Sequence, residues 1–160
     1  MKPYVEGERG LWKRAVESAK LTKDGVEGDC QVCYLSEPRN PDNSVLIMPL
    51  EMLVQLDREG WPVMPGHLGE NLTTKGIPYD SFAVGKRYSA GTAMVQISKP
   101  REPCGSLKAL PYVGQEFVED FKRALVNRSG WYARILTEGV VNTGDSIVEL
   151  VERSDEWPVM

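Results

Sequence analysis

The chain has 160 residues, 41% of them apolar and 26% charged, with a formal net charge of −4 at neutral pH. That length suits one domain with a sizeable core, no apolar run approaches the ~18 residues of a membrane span, and the acidic balance argues against a nucleic-acid polymer, whose binders neutralise phosphate with excess cations. The amino terminus, MKPYVEGERGLWKR, lacks the apolar stretch of a secretory signal, so a reducing cytoplasm is expected, where three cysteines point to metal or redox chemistry rather than structural bridges.

In chain order, LWKRAVESAKL comes first. Leu11, Trp12, Ala15, Val16 and Ala19 recur at helical spacing, while Glu17, Ala19 and Leu21 also allow a strand; periodicity favours the helix. Cys30 and Cys33 then form C-Q-V-C, the spacing of half a zinc site or a redox dithiol, with two ordinary buried thiols as the plainer reading. No second C-x-x-C exists, so a four-ligand site would also need Cys104 and His67, the only histidine. SVLIM, Ser44 to Met48, is a continuous apolar run fit for a strand buried on both faces. Pro49 pre-sets a helical φ for PLEMLVQLDREG, in which Leu50, Leu53 and Val54 make an apolar stripe and Gly60 suits the left-handed position after the helix.

MPGHLGENLTTKG, Met64 to Gly76, is predicted as a polar loop. Gly66 and Gly69 free backbone N–H groups, His67 donates or accepts near neutral pH, and Glu70 and Asn71 offer carboxylate and amide to a ligand. The plainer alternative is a turn in which Asn71 or Thr73 caps its own backbone. AMVQIS, Ala93 to Ser98, alternates Ala93, Val95 and Ile97 with polar or exposed positions and reads as a half-buried strand.

KPREPCGSLKAL follows, with Cys104 on a loop stiffened by Pro100 and Pro103. Lys99, Arg101 and Lys108 surround the thiol with positive charge, which favours the thiolate that acts as nucleophile or soft-metal ligand. A small buried hydrophobe is the alternative. QEFVEDFKRALVNR predicts a second helix, Phe117, Phe121 and Leu125 recurring every four residues with acids ahead of bases along the dipole. WYARILT and GVVNTGDSIVELVE then read as a β-meander turning around Asn142–Asp145. Many short strands, two helices and no βα alternation imply a mostly-β barrel or an α+β fold over residues 1–160, and no G-x-G-x-x-G or Walker-type loop contradicts this.

Taken in order, GVEGD (Gly25–Asp29), PGHLGENLTTKGI (Pro65–Ile77), KPREPC (Lys99–Cys104) and GWYARILTEGVVNTGDSI (Gly130–Ile147) resemble the MOSC domain, the family named after the C-terminal domain of molybdenum cofactor sulfurase. The resemblance covers Val16 to Glu152 and is to a small stand-alone prokaryotic member. It implies a MOSC-type β-barrel with two or three peripheral helices, and a strand over Ala15–Thr22 in place of the helical reading. It further implies the molybdenum cofactor (molybdopterin), with Cys104 as ligand to molybdenum or carrier of sulfur. Arg101 becomes a partner of phosphate or thiolate, and Gly69, Glu70, Asn71 and Leu72, with His67 on the same loop, wall the cofactor pocket. Asp29 fixes a loop beside it, and Lys13 stands where relatives carry a basic residue near the entrance.

The sequence departs from the family at two places. Asn43-Ser44-Val45 replaces a common Arg-Ala-Val, removing one basic contact to an anionic ligand, and Cys30 follows Gly28-Asp29 directly. Two function classes follow from the resemblance. One is a reductase of small N-hydroxylated or related N–O substrates, which needs a redox partner protein because one C-x-x-C has too few thiolates for an iron–sulfur cluster. The other is a sulfur or cofactor carrier without turnover of its own. A pocket without cofactor, its thiols binding zinc or nothing, is the third reading. No membrane partner is expected, and a homodimer stays open.

Overall fold

The computed structural model describes residues 12–29 and 40–152; Cys30 and Cys33 lie outside them. Glycine and proline cut the described residues into nine strands: β1 (Ser18–Thr22), β2 (Gly25–Val26), β3 (Val45–Pro49), β4 (Leu72–Thr74), β5 (Arg87–Ala90), β6 (Ala93–Pro100), β7 (Trp131–Thr137), β8 (Gly139–Asn142) and β9 (Ile147–Glu149). Two α-helices interrupt them, α1 (Leu50–Arg58) and α2 (Gly114–Ala124), with short 3-10 turns between. No described helix is long and apolar enough to cross a membrane.

The main sheet runs in the order β4-β3-β7-β6-β5-β9, and a small one in the order β2-β1-β8. Every pairing is antiparallel except β3 with β4. Irregularities in the β6–β7 ladder, between Met94 and Val95 and between Ile97 and Lys99, add the local bend and twist that curl a sheet. The curl stops short of closure, since β4 and β9 are end strands that do not pair with each other. The expected mostly-β architecture is present, as a partial barrel rather than a closed one.

β3 shows why an uninterrupted apolar run suits a central strand. All five of its residues are buried; Val45 and Ile47 enter the core inside the curl, with Leu21, Phe82, Val95 and Ile135, while Met48 enters a second core beneath the helices. Leu53 and Leu56 of α1 and Val118 and Phe121 of α2 join that second core. Each such side chain contributes about 1.5–3 kcal/mol of apolar burial.

Four sequence expectations change. Val54 and Phe117 are 41% and 45% exposed, so the buried stripes use Leu56 and Val118 in their place. Pro49 precedes the first helical residue with extended ψ, ending β3 rather than opening α1. LWKRAVESAKL is not helical but holds the strand that the family resemblance implies, shorter than Ala15–Thr22: Ser18–Thr22 alone is strand, because its edges pair with β2 and β8, and long-range pairing outweighs a weak local period. The C-terminal meander does not form either. β8 joins β1 and β9 joins β5, the turn between them held by the Asn142 backbone N–H donating to Asp145 Oδ2 at 2.8 Å.

Candidate functional site

The loop from Met64 to Asn71, just ahead of β4, is the hub to which most of the candidate residues attach. Gly66 has φ +89°, and a Cβ there would stand 2.0 Å from the Lys13 carbonyl oxygen, so only glycine lets the amino-terminal segment lie against this loop. The Lys13 N–H donates to the Gly66 carbonyl at 3.0 Å. Lys13 Nζ meets Asp29 Oδ2 at 2.7 Å, both side chains being almost wholly buried, and Asn71 Nδ2 donates to the same oxygen at 2.9 Å. Asn71 in turn exchanges two bonds with Leu46 of β3, its Oδ1 accepting the Leu46 N–H and its own N–H donating to the Leu46 carbonyl. Lys13, Asp29 and Asn71 therefore form one buried network that ties the amino-terminal segment and the loop to the sheet. The lysine charge is spent on Asp29.

Glu70 is 3% exposed, and its Oε1 accepts the Gly66 N–H at 2.7 Å and lies 3.3 Å from Thr73 Oγ1. His67 stacks between Trp12 and Tyr112, at ring-centroid distances of 5.2 and 5.9 Å, and its Nδ1 lies 3.2 Å from the Tyr112 hydroxyl. Burial holds the imidazole below its ordinary value, against the pull of Glu70, and pushes the Tyr112 phenol up to about 12.

Arg101 is held at three points. Its N–H donates to Gly130, its carbonyl accepts the Ser129 hydroxyl, and its Nη1 donates to the Leu68 carbonyl at 2.8 Å. The guanidinium is thus buried between the hub loop and the loop that follows β6. Cys104, three residues on, is exposed, with Sγ 2.7 Å from Ser106 Oγ. Desolvation pushes the thiol up, but the hydrogen bonds from Ser106 and the charge and hydrogen bond of Arg101 outweigh it, so the thiol lies below its ordinary value. Of the cations expected around the thiol, Arg101 is the one that acts on it; Lys99 lies over the Tyr132 ring at 5.6 Å.

The site residues expected from sequence thus fall into two linked groups, one of Lys13, Asp29, Asn71 and Glu70, the other of Arg101 and Cys104, with His67 and Gly69 on the loop between. Ser106, Tyr112 and Trp12 were missed. Ser106 follows a Cys-Gly pair, a signal of contact that short spacing alone offers; nothing local marks Tyr112. At the departure Asn43-Ser44-Val45, Ser44 is buried, its hydroxyl 2.8 Å from the carbonyls of both Lys23 and Pro41, which is a structural use of the position.

Beside the hub loop a cavity of about 700 Å³ opens, lined by β4, β9, the turn between β8 and β9, and the segment 13–16. Lys13, Gly66, Glu70 and Asn71 line it, whereas Arg101 and Cys104 do not. Among the described residues no group of three or more His, Cys, Asp or Glu gathers as a metal site.

A family model for the MOSC domain matches residues 25–148. The chain is 32% identical over 151 residues to the Bacillus subtilis protein YflK, covering 93% of this chain and 66% of that one. The crystal structure of YiiM from Geobacillus stearothermophilus superposes with a TM-score of 0.68 at 32% identity, over 92% of this chain and 67% of that one. That of the YuaD protein from Bacillus subtilis, at 18% identity, shares the fold with a TM-score of 0.72 over 94% of both chains. The chain thus spans about two thirds of the length of YflK.

Proposed function

The chain belongs to the MOSC domain family, and from that premise we propose that it binds the molybdenum cofactor through Cys104 and reduces small N-hydroxylated or related N–O substrates. The observation that carries the reading is the exposed thiol at Cys104, lowered by Ser106 and by a buried, triply anchored Arg101. A thiolate is the soft donor that a polarisable metal takes, and Ser106 and Arg101 favour it over the ordinary thiol. The donor set fits the group: Cys104 would hold the metal, with the guanidinium of Arg101 partnering the thiolate and exposed Lys108 available to phosphate. When bound, the cofactor supplies a two-electron redox centre.

The chain's own residues do the rest. Arg101 favours the ionised form of Sγ, and its bond to the Leu68 carbonyl fixes the distance between the Cys104 loop and the hub loop. Lys13, Asp29 and Asn71 hold the hub loop against β3, and His67, neutral and stacked, presents an imidazole beside it. Reduction of an N–O bond consumes two electrons and two protons and releases water, so a redox partner protein must deliver the electrons.

Because Cys104 is exposed and lies off the 700 Å³ cavity, a sulfur or cofactor carrier is the second reading. Turnover of an N-hydroxylated amidine with a chemical electron donor separates the two. A reductase consumes the substrate with wild-type protein and loses that activity in Cys104→Ser; a carrier shows no turnover with either.

A further inference from the structure

Arg101 is gripped by its backbone as well as by its guanidinium, and the backbone grip leads to a residue far from the Cys104 loop in sequence. The Gly130 carbonyl that accepts the Arg101 N–H at 2.9 Å also accepts from the Tyr79 hydroxyl at 3.3 Å, and the Gly130 N–H donates to that same hydroxyl at 3.0 Å. Gly130 needs this support. Its φ of +106° favours glycine, and a Cβ would stand 3.0 Å from the Ile47 carbonyl oxygen, so the residue that lets this turn lie against β3 is also the one least fixed by its own conformation. Ser129, fully buried, closes the grip from the other side by donating to the Arg101 carbonyl. Tyr79 opens the 3-10 turn Tyr79–Ser81 beyond β4, and its ring rests near Trp131 at a centroid distance of 5.8 Å. Burial holds the Tyr79 phenol above its ordinary value against the pull of the Gly130 bond and of the Arg101 charge, so the field of the guanidinium reaches the phenol. The stretch from Leu68 to Tyr79 therefore meets Arg101 twice, at Nη1 through the Leu68 carbonyl and at the backbone through Gly130.

We propose that Tyr79 and Ser129 are positioning residues for Cys104: by clamping Gly130 and the Arg101 carbonyl, they set where the guanidinium stands relative to Sγ. The proposal rests on the reading of Cys104 as the working group of the site. Neither residue acts on the thiol directly, as Ser106 and Arg101 do. An arginine side chain has many rotamers, and a single bond from its tip to a loop carbonyl leaves its root free to drift. With both the N–H and the carbonyl of Arg101 held, only its side-chain torsions remain, and the Leu68 bond restrains those. Removing the Tyr79 hydroxyl takes from the buried Gly130 N–H the partner it has, a cost that the turn relieves by moving. Such a move carries the partner of the Arg101 backbone with it and shifts the charge at the far end of the side chain.

The test reads the positive charge at Sγ rather than the titration of the thiol. The full chain, purified from a host without the molybdenum cofactor, is alkylated with iodoacetate and with iodoacetamide, and peptide mass spectrometry resolves Cys104 from Cys30 and Cys33. Both reagents need the thiolate, so the ratio of their rates cancels the thiolate fraction and reports how near the guanidinium stands to an anionic reagent. Arg101→Ala should lower that ratio about threefold, as loss of one partly exposed charge contact does. Tyr79→Phe, which keeps the ring near Trp131, and Ser129→Ala should each lower it about twofold, and neither should lower it further in the Arg101→Ala background. General loosening of the fold would speed both reagents alike and leave the ratio where it was, so a purely structural role reads differently. An unchanged ratio in either folded variant, or one lowered just as much when Arg101 is already alanine, would overturn the proposal. Molybdenum content does not enter this ratio, so its absence from the wild type would count against the metal reading alone.

Discussion

At Cys104 the decisive contacts come from within three residues on either side, so the sequence shows Arg101 and holds Ser106 within the same short reach, although it was not singled out. Arg101 and Ser106 flank the thiol closely enough that a loop of any reasonable shape brings them near, and both lower it. Arg101→Ala should move the pH profile of thiol alkylation upward and slow the reaction near neutral pH by up to about tenfold, the equivalent of one pKa unit. An unchanged profile would remove Arg101 from the thiol's surroundings. Lys13, Asp29 and Asn71 are different. Their connection spans 16 residues in one direction and 42 in the other, so no spacing argument reveals that the lysine is neutralised by an aspartate. His67 supplies a stability test. Its folded pKa lies below the ordinary value, so the unfolded chain takes up the proton first as pH falls, and stability declines from about pH 6.5 downward through the folded pKa. Thermal melts of His67→Gln should lose that part of the acid slope, whereas an identical slope would mean that other groups set it.

Elements with strong local patterns were legible to within a residue or two. The alternation of β6 and the unbroken apolar run of β3 each state which faces are buried, and the structure agrees. Helix stripes were legible in kind and off in register, since Phe117 and Val118 are neighbours and only packing decides which turns inward. That choice has a measurable consequence: Phe121→Ala should cost about 3–5 kcal/mol in urea unfolding, and Phe117→Ala about 0.5 kcal/mol or less. Comparable losses at both positions would contradict the packing of α2. The amino-terminal segment was the least legible element, its helical period being overruled by pairing with β2 and β8. Gly66→Ala tests how that segment is seated. With a Cβ 2.0 Å from the Lys13 carbonyl at φ +89°, it should loosen Trp12, already half exposed, from its contact with His67 and raise its fluorescence sensitivity to quenchers; unaltered quenching would mean the segment does not depend on this contact.

For the whole molecule, the family follows from four short fragments in a fixed order, and the fold from the family. What composition and period did not convey is how the strands are partitioned. β8 and β9 are neighbours in sequence but belong to different sheets, and that separation leaves β4 and β9 as the open edges of a partial barrel, both lining the cavity. Such a partition is set by long-range pairing, in which each strand has several acceptable partners by local pattern alone. The same topology keeps the Cys104 loop, after β6, beside the hub loop, before β4, through the Arg101 to Leu68 bond. The most direct test of the central claim is elemental analysis for molybdenum and zinc on wild type and Cys104→Ser, both purified without oxygen from a host that makes the molybdenum cofactor. Molybdenum close to one per wild-type chain, absent from a folded Cys104→Ser, is the predicted result. Equal molybdenum in both proteins, or none in the wild type, would contradict the assignment of Cys104 as the metal's ligand.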